Sequence, residues 1–152
     1  MLFSAGETVF DRTARIRECA MDFARRNCLR ILVADSQETS RRFLSGALRD
    51  IGLVSVEAAD ARETLDLVCS VEIHGLVLDS DLPDLGGLET IRVIRTFHSV
   101  PPYLLLAEAL TRELRVAALD GRATSVLPKP VDTGIFSDIV RTMLLREYGR
   151  IW

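Results

Sequence analysis

Five short runs of branched and large apolar residues recur along the chain, and each is followed by a stretch whose apolar positions repeat with a helical period. They are Leu29–Ala34, Leu53–Ala58, Ile73–Asp79, Tyr103–Ala107 and Thr124–Leu127. Runs this short and this rich in Val, Ile and Leu suit strands buried on both faces. The stretch from Ser36 to Asp50 carries Phe43, Leu44, Ala47 and Leu48 at helical spacing, with Ser36 or Thr39 as candidate caps and Gly52 as a stop. Asp60 is placed to cap a second helix carrying Ala61, Leu65 and Val68 or Cys69. Gly87 to Phe97 follows the same pattern up to the break at Val100, Pro101 and Pro102. Leu110 to Leu119 and Thr133 to Tyr148 complete the set, the last more apolar than one buried face requires, which leaves a surplus for self-association.

Strands alternating with helices at this spacing predict an α/β protein with a doubly wound, parallel, five-stranded sheet and helices on both faces. Right-handed crossovers leave few topologies, of which the flavodoxin-like order 2-1-3-4-5 fits five repeats. That order makes strands one and three neighbours at the point where the winding reverses, so Asp35 and Asp79 are expected to converge at their carboxyl ends. The segment Leu76 to Gly87, LVLDSDLPDLGG, then reads as a buried strand delivering Asp79 to a turn.

At 152 residues the chain has room for one ordinary domain and an appendage. The expected division is an extension over residues 1–28, the α/β domain over 29–148 and a tail at 149–152. Residues 8–27 place Val9, Thr13, Ile16, Ala20, Phe23 and Asn27 at steps of four and three, an extra amphipathic N-terminal helix whose seam packs either on its own domain or on a second copy or a partner. A net charge of -3 gives no electrostatic reason to expect nucleic acid or an anionic membrane as partner. Cys19, Cys28 and Cys69 lack disulfide or zinc spacing, and no apolar run approaches the ~20 residues of a membrane span. These features predict a cytoplasmic protein. Lys129 is the single lysine, against eighteen arginines (19 cations less one).

Two carboxylates brought together repel unless a cation lies between them, and a hard divalent ion such as Mg²⁺ suits oxygen ligands. Asp35, Asp79 and Asp81 are the candidate metal ligands, Asp81 through either its backbone carbonyl or a third carboxylate. Lys129 lies between two prolines after the fifth strand, which restricts the direction of its ammonium group. A carboxylate nucleophile, a metal and a fixed lysine are the parts for phosphoryl transfer to an aspartate, with Asp79 and Lys129 as the reacting pair.

The arrangement resembles the receiver domain of two-component response regulators over about residues 29 to 148. Asp79 matches the phosphoacceptor, Leu82 and Pro83 the Met-Pro step that follows it, and Gly87 the glycine. Lys129 and Pro130 match the Lys-Pro pair, typically joined by a cis peptide bond, and Asp35 matches the first member of the acidic pair. The resemblance implies a phosphoprotein of phosphorelay signalling. It would be served by Mg²⁺, fed by a histidine kinase or phosphotransfer protein and read by a downstream protein target, and it would not be an enzyme. No DNA-binding or catalytic output domain fits after Tyr148, so the expectation is a stand-alone receiver acting by protein contact or phosphate relay, unless the chain is a fragment of a hybrid kinase, with a homodimer as one outcome.

The departures from the pattern are specific. Ser36 replaces the second acidic residue, which implies weaker Mg²⁺ binding, and Ser36 itself reads as a helix cap. An ungapped count back from Lys129 puts Ala107 where a Thr or Ser bonds the phosphoryl group and Val126 at the switching aromatic position. It puts Arg122 where a glycine is common, with Gly121 beside it as the sign of a one-residue shift. These favour an alternative, a receiver-like module that works as an interaction or dimerisation unit without phosphorylation. A third reading takes Asp79-Ser80-Asp81 as the Asp-x-Asp of a haloacid-dehalogenase-type phosphohydrolase, but there the motif ends the first strand and here it ends the third. His74, within a strand, and His98, near a helix end, read as structural.

Overall fold

The computed structural model describes residues 28–150, so the amphipathic N-terminal helix expected over 8–27 and the last two residues lie outside it. The described residues form five strands alternating with five helices. The strands are β1 (Arg30–Ala34), β2 (Val54–Ala58), β3 (Gly75–Asp79), β4 (Tyr103–Ala107) and β5 (Ser125–Pro128). The helices are α1 (Glu38–Asp50), α2 (Ala61–Ser70), α3 (Gly87–Phe97), α4 (Arg112–Asp120) and α5 (Thr133–Tyr148). All pairings are parallel and the sheet order is β2-β1-β3-β4-β5, as the alternation predicts.

The period of two along each strand divides the core into two layers. Ile31, Val33, Val77, Leu104 and Leu106 point to one face and meet Leu44 and Leu48 of α1 and Phe136, Val140 and Leu144 of α5. Leu32, Leu76, Leu78 and Leu105 point to the other and meet Val68 of α2, Ile91 and Ile94 of α3 and Ala118 of α4. Every residue of β3 and β4 is buried, which explains why both read as unbroken apolar runs. Each fully buried Leu, Ile or Phe contributes about 1.5–3 kcal/mol relative to an exposed one. The apolar surplus of α5 is real: Ile135 and Leu145 stay exposed. Among the described residues no helix is long and apolar enough to cross a membrane.

Three local expectations change. His74 lies one residue before β3, where its backbone N–H donates to the Arg30 carbonyl and its Nδ1 accepts the Arg30 N–H at 2.9 Å. The ring thus stands in for a backbone acceptor at the sheet edge. Neither Ser36 nor Thr39 caps α1. Its N-cap is Gln37, without a side-chain bond, and Asp35 Oδ1 accepts the Gln37 N–H at 2.9 Å instead. The helix expected from Leu110 starts at Arg112 because Thr111 Oγ1 accepts the Leu114 N–H and sets its first turn.

Candidate functional site

The register Ala34↔Leu78 between β1 and β3 puts the next residues of both strands, Asp35 and Asp79, side by side at the carboxyl edge of the sheet. Asp35 is fully buried and Asp79 is 7% exposed. Lys129 reaches them from the turn after β5, where its own N–H donates to the Ala107 carbonyl at 2.9 Å and a cis peptide bond joins it to Pro130. Its Nζ lies 2.6 Å from Asp35 Oδ2 and 2.7 Å from Asp79 Oδ2. One ammonium therefore holds together two carboxylates that would otherwise repel in a largely buried site. Burial works against the Lys129 charge, but the hydrogen bonds and charges of Asp35 and Asp79 outweigh it and hold the group above its ordinary value.

Each carboxylate is oriented further by its own turn. Asp35 Oδ2 also accepts the Ser40 hydroxyl at 2.9 Å, and its carbonyl accepts Arg41 Nη1 at 2.7 Å. The Arg41 guanidinium lies 3.3 Å from Glu57 on β2, tying β1, β2 and α1 at this edge. Asp79 Oδ1 accepts the Asp81 N–H at 2.9 Å, which closes the turn toward α3. The glycine pair lets α3 start directly on that turn. A Cβ on Gly87 would lie 2.6 Å from the Asp79 carbonyl oxygen, closer than any side chain tolerates. A groove of about 570 Å³ opens beside Lys129, lined by Ser40, Phe43, Glu108, Pro130 and Val131, with Phe43 53% exposed.

Asp35, Asp79 and Lys129 are thus brought together. Asp81 stands apart: its side chain is exposed, it joins the site through its backbone, and the described residues hold no group of three or more Asp, Glu, His or Cys side chains arranged for a metal. Ser36 is exposed. Ala107 ends β4 fully buried beside Lys129, and Val126 pairs with Leu105 on β5. Arg122 has φ 62 while Gly121 has φ -78, so the left-handed position is the one the ungapped count assigns to a glycine, without a shift. Gly121 has a separate reason to be small, since a Cβ there would meet the Tyr103 hydroxyl at 2.8 Å.

The sequence reading missed Ser40, Arg41 and Asp84. Ser40 and Arg41 lie one turn into a helix, where polar residues read as solvated face, and Asp84 looks like any turn acid after Pro83. No local signal marks a side chain whose partner lies on another element.

A doubly wound parallel sheet that gathers two acidic side chains and a lysine at the carboxyl edge of β1, β3 and β5 defines a signalling module of the receiver type. Residues 31–141 match the response regulator receiver domain model, and the chain belongs to that family. It is 39% identical over 102 residues to the response regulator MprA of Mycolicibacterium vanbaalenii, covering 67% of this chain and 44% of that protein. The MprA of Mycobacterium avium is 38% identical over the same length, with 67% and 45% covered. The chain therefore spans less than half the length of the curated relatives it matches. Among solved structures, the signal receiver domain of an HD domain-containing protein from Pseudomonas fluorescens superposes with a TM-score of 0.75 at 24% identity, covering 81% of this chain and 99% of that one. A Francisella response regulator receiver domain gives 0.73 at 22% identity, with 78% and 98% covered. Phosphorylation on aspartate and Mg²⁺ at the phosphorylation site are general to this family, whose members are signalling modules.

Proposed function

We propose that the chain accepts a phosphoryl group on Asp79 from a histidine kinase or phosphotransfer protein and acts by changing its contacts with a downstream protein or by relaying the phosphate. The observation that carries this reading is the Lys129 ammonium held between Asp35 and Asp79. A carboxylate oxygen of Asp79 attacks phosphorus, an O–P bond forms, and the P–N bond to the donor imidazole breaks with its electron pair leaving on nitrogen. Lys129 is placed to follow the negative charge from the Asp79 carboxylate onto the phosphoryl oxygens. The groove beside Lys129 offers a donor protein a surface next to the site, with Phe43 as apolar contact.

The donor set fits Mg²⁺ in the sparse manner that ion accepts, one or two carboxylates with water and phosphate completing the shell. Asp35, Asp79 and the Asp81 carbonyl would hold it, and when bound it would neutralise charge on the transferring group. Ser36 in place of an acid supports weak binding. Asp35 is also engaged by Ser40 and the Gln37 N–H, which holds its orientation but competes for its lone pairs.

A second reading, a module that works as an interaction or dimerisation unit without phosphorylation, is favoured by Ala107 and Val126, which remove the hydroxyl and the aromatic ring from the usual readout. Intact mass after incubation with acetyl phosphate and Mg²⁺ separates the two. One phosphoryl group gained by the wild type and absent from Asp79→Ala supports the first. No gain in either, with beryllofluoride and Mg²⁺ also leaving the spectrum unchanged, leaves the second.

A further inference from the structure

Helix α2 starts with the N–H groups of its first three residues all accepted by side chains, two of them by a residue from a different element. Glu63 N–H donates to Asp60 Oδ1 at 2.8 Å, an ordinary cap from within, and Thr64 N–H to the Asp60 carbonyl at 3.2 Å begins the helical ladder. Ala61 and Arg62 donate to Asp84 Oδ1 and Oδ2 at 2.8 and 3.1 Å. Both oxygens of one carboxylate thus sit on the positive end of a helix that lies over twenty residues earlier in the chain. The Asp84 carboxyl is held below its usual range, first by the Ala61 hydrogen bond.

Asp84 belongs to the segment that joins Asp79 to α3, and that segment is tightly made. Asp81 N–H bonds Asp79 Oδ1, Leu82 is 5% exposed in the core shared with α2 and α3, and Gly86 and Gly87 donate back to the Leu82 and Ser80 carbonyls. Pro83 restricts the step just before Asp84. A change at the Asp79 carboxylate therefore meets, within five residues, a carboxylate locked to another helix. On the opposite side, toward β4 and β5, Ala107 and Val126 offer neither hydroxyl nor ring to carry the same change.

We propose that Asp84 is the side chain through which the chemical state of Asp79 reaches α2, making α2 the helix that reports it. Forming the acyl phosphate on Asp79 redistributes charge over the oxygens that hold the Asp81 N–H and Lys129. The turn resettles, and the Asp84 carboxylate carries the first turn of α2 with it. The inference rests on phosphorylation of Asp79 and adds the route by which it is read.

The test is the amide ¹H–¹⁵N spectrum of the whole chain with and without beryllofluoride and Mg²⁺, in the wild type, Asp84→Ala and Asp84→Asn. The decisive signals are those of Leu67 to Ser70, because the helical rise puts them roughly 9 to 14 Å along α2 from its start, away from the added group. The expected result is that Ser80 to Gly87 and Leu67 to Ser70 both shift in the wild type. In Asp84→Ala the turn signals still shift and those of Leu67 to Ser70 do not, with Asp84→Asn, which keeps one acceptor oxygen, between the two. If Asp84→Ala does not fold, by circular dichroism, a reduced response in Asp84→Asn decides for the proposal and an undiminished one against it. Shifts at Leu67 to Ser70 that persist without the carboxylate overturn it, as does a wild type in which the turn responds and α2 does not. A wild type in which the turn itself is silent removes the phosphorylation reading and this route together.

Discussion

Replacing Lys129 by Met tests the electrostatic account of the site without reference to any phosphodonor. The substitution keeps most of the side-chain length and removes the one charge that separates Asp35 from Asp79. Their side chains are 0% and 9% exposed, so little solvent reaches them to screen the repulsion in the lysine's place. Breaking a buried ion pair by removing one partner costs about 3–5 kcal/mol, because the remaining charge is left uncompensated. The Lys129 side chain keeps 14% exposure, and solvent screening then argues for the low end, about 3 kcal/mol. For a domain of this size that is a fall of roughly 10 °C in Tm. Urea denaturation at neutral pH reads the loss directly, and Lys129→Met with Asp35→Asn is expected to recover about half of it, since one of the two facing charges is gone. The alkaline limb supplies an independent check. Because the folded value of Lys129 is raised, its contribution is present in full below the unfolded value of 10.5 and is lost as pH rises through the higher folded value. That limb is expected in the wild type and absent from Lys129→Met. A loss under about 1 kcal/mol, or no recovery in the double variant, would refute the account.

Three further outcomes follow from single residues. Burial lowers the His74 value against the opposing pull of Glu72, so the stability this neutral ring contributes is present above the unfolded value of 6.5 and is lost as pH falls through the lower folded value. Urea midpoints between about pH 5 and 8 are expected to show that decline in the wild type and much less of it in His74→Gln, where an amide oxygen accepts the Arg30 N–H without titrating. Arg122→Gly is expected to raise stability by about 0.5–1 kcal/mol, measured in the same way, because it relieves a side chain held at positive φ. Ser45→Ala on α1 is expected to be stabilising by about 1 kcal/mol, since its buried hydroxyl has no partner among the described residues; a loss of stability would point to a bond the described geometry does not contain.

Much of the fold was legible because the signals that specify it are local. Strands buried on both faces must be apolar at every position, as Leu76, Val77 and Leu78 are, and helices between them must show one apolar stripe, as Leu44 and Leu48 do. The convergence of Asp35 and Asp79 could be inferred because handedness leaves few ways to wind five such units. Boundaries were less legible where a side chain replaced a backbone partner. The His74 ring moved the start of β3, and the Asp35 carboxylate rather than a Ser36 or Thr39 cap received the Gln37 N–H.

By itself, then, the sequence determined the alternating architecture, the strand order and the identity of the three residues that meet at its carboxyl edge, because periodicity and chirality act within one or two elements. Only the tertiary structure decided what those residues do to one another. That Lys129 binds both carboxylates and that Asp84 holds the start of α2 depend on distances of two to three ångströms between segments 22 to 94 residues apart. Hydrogen bonds and buried charges are steep functions of such distances, and no pattern along the chain encodes them until packing has set the backbone in place.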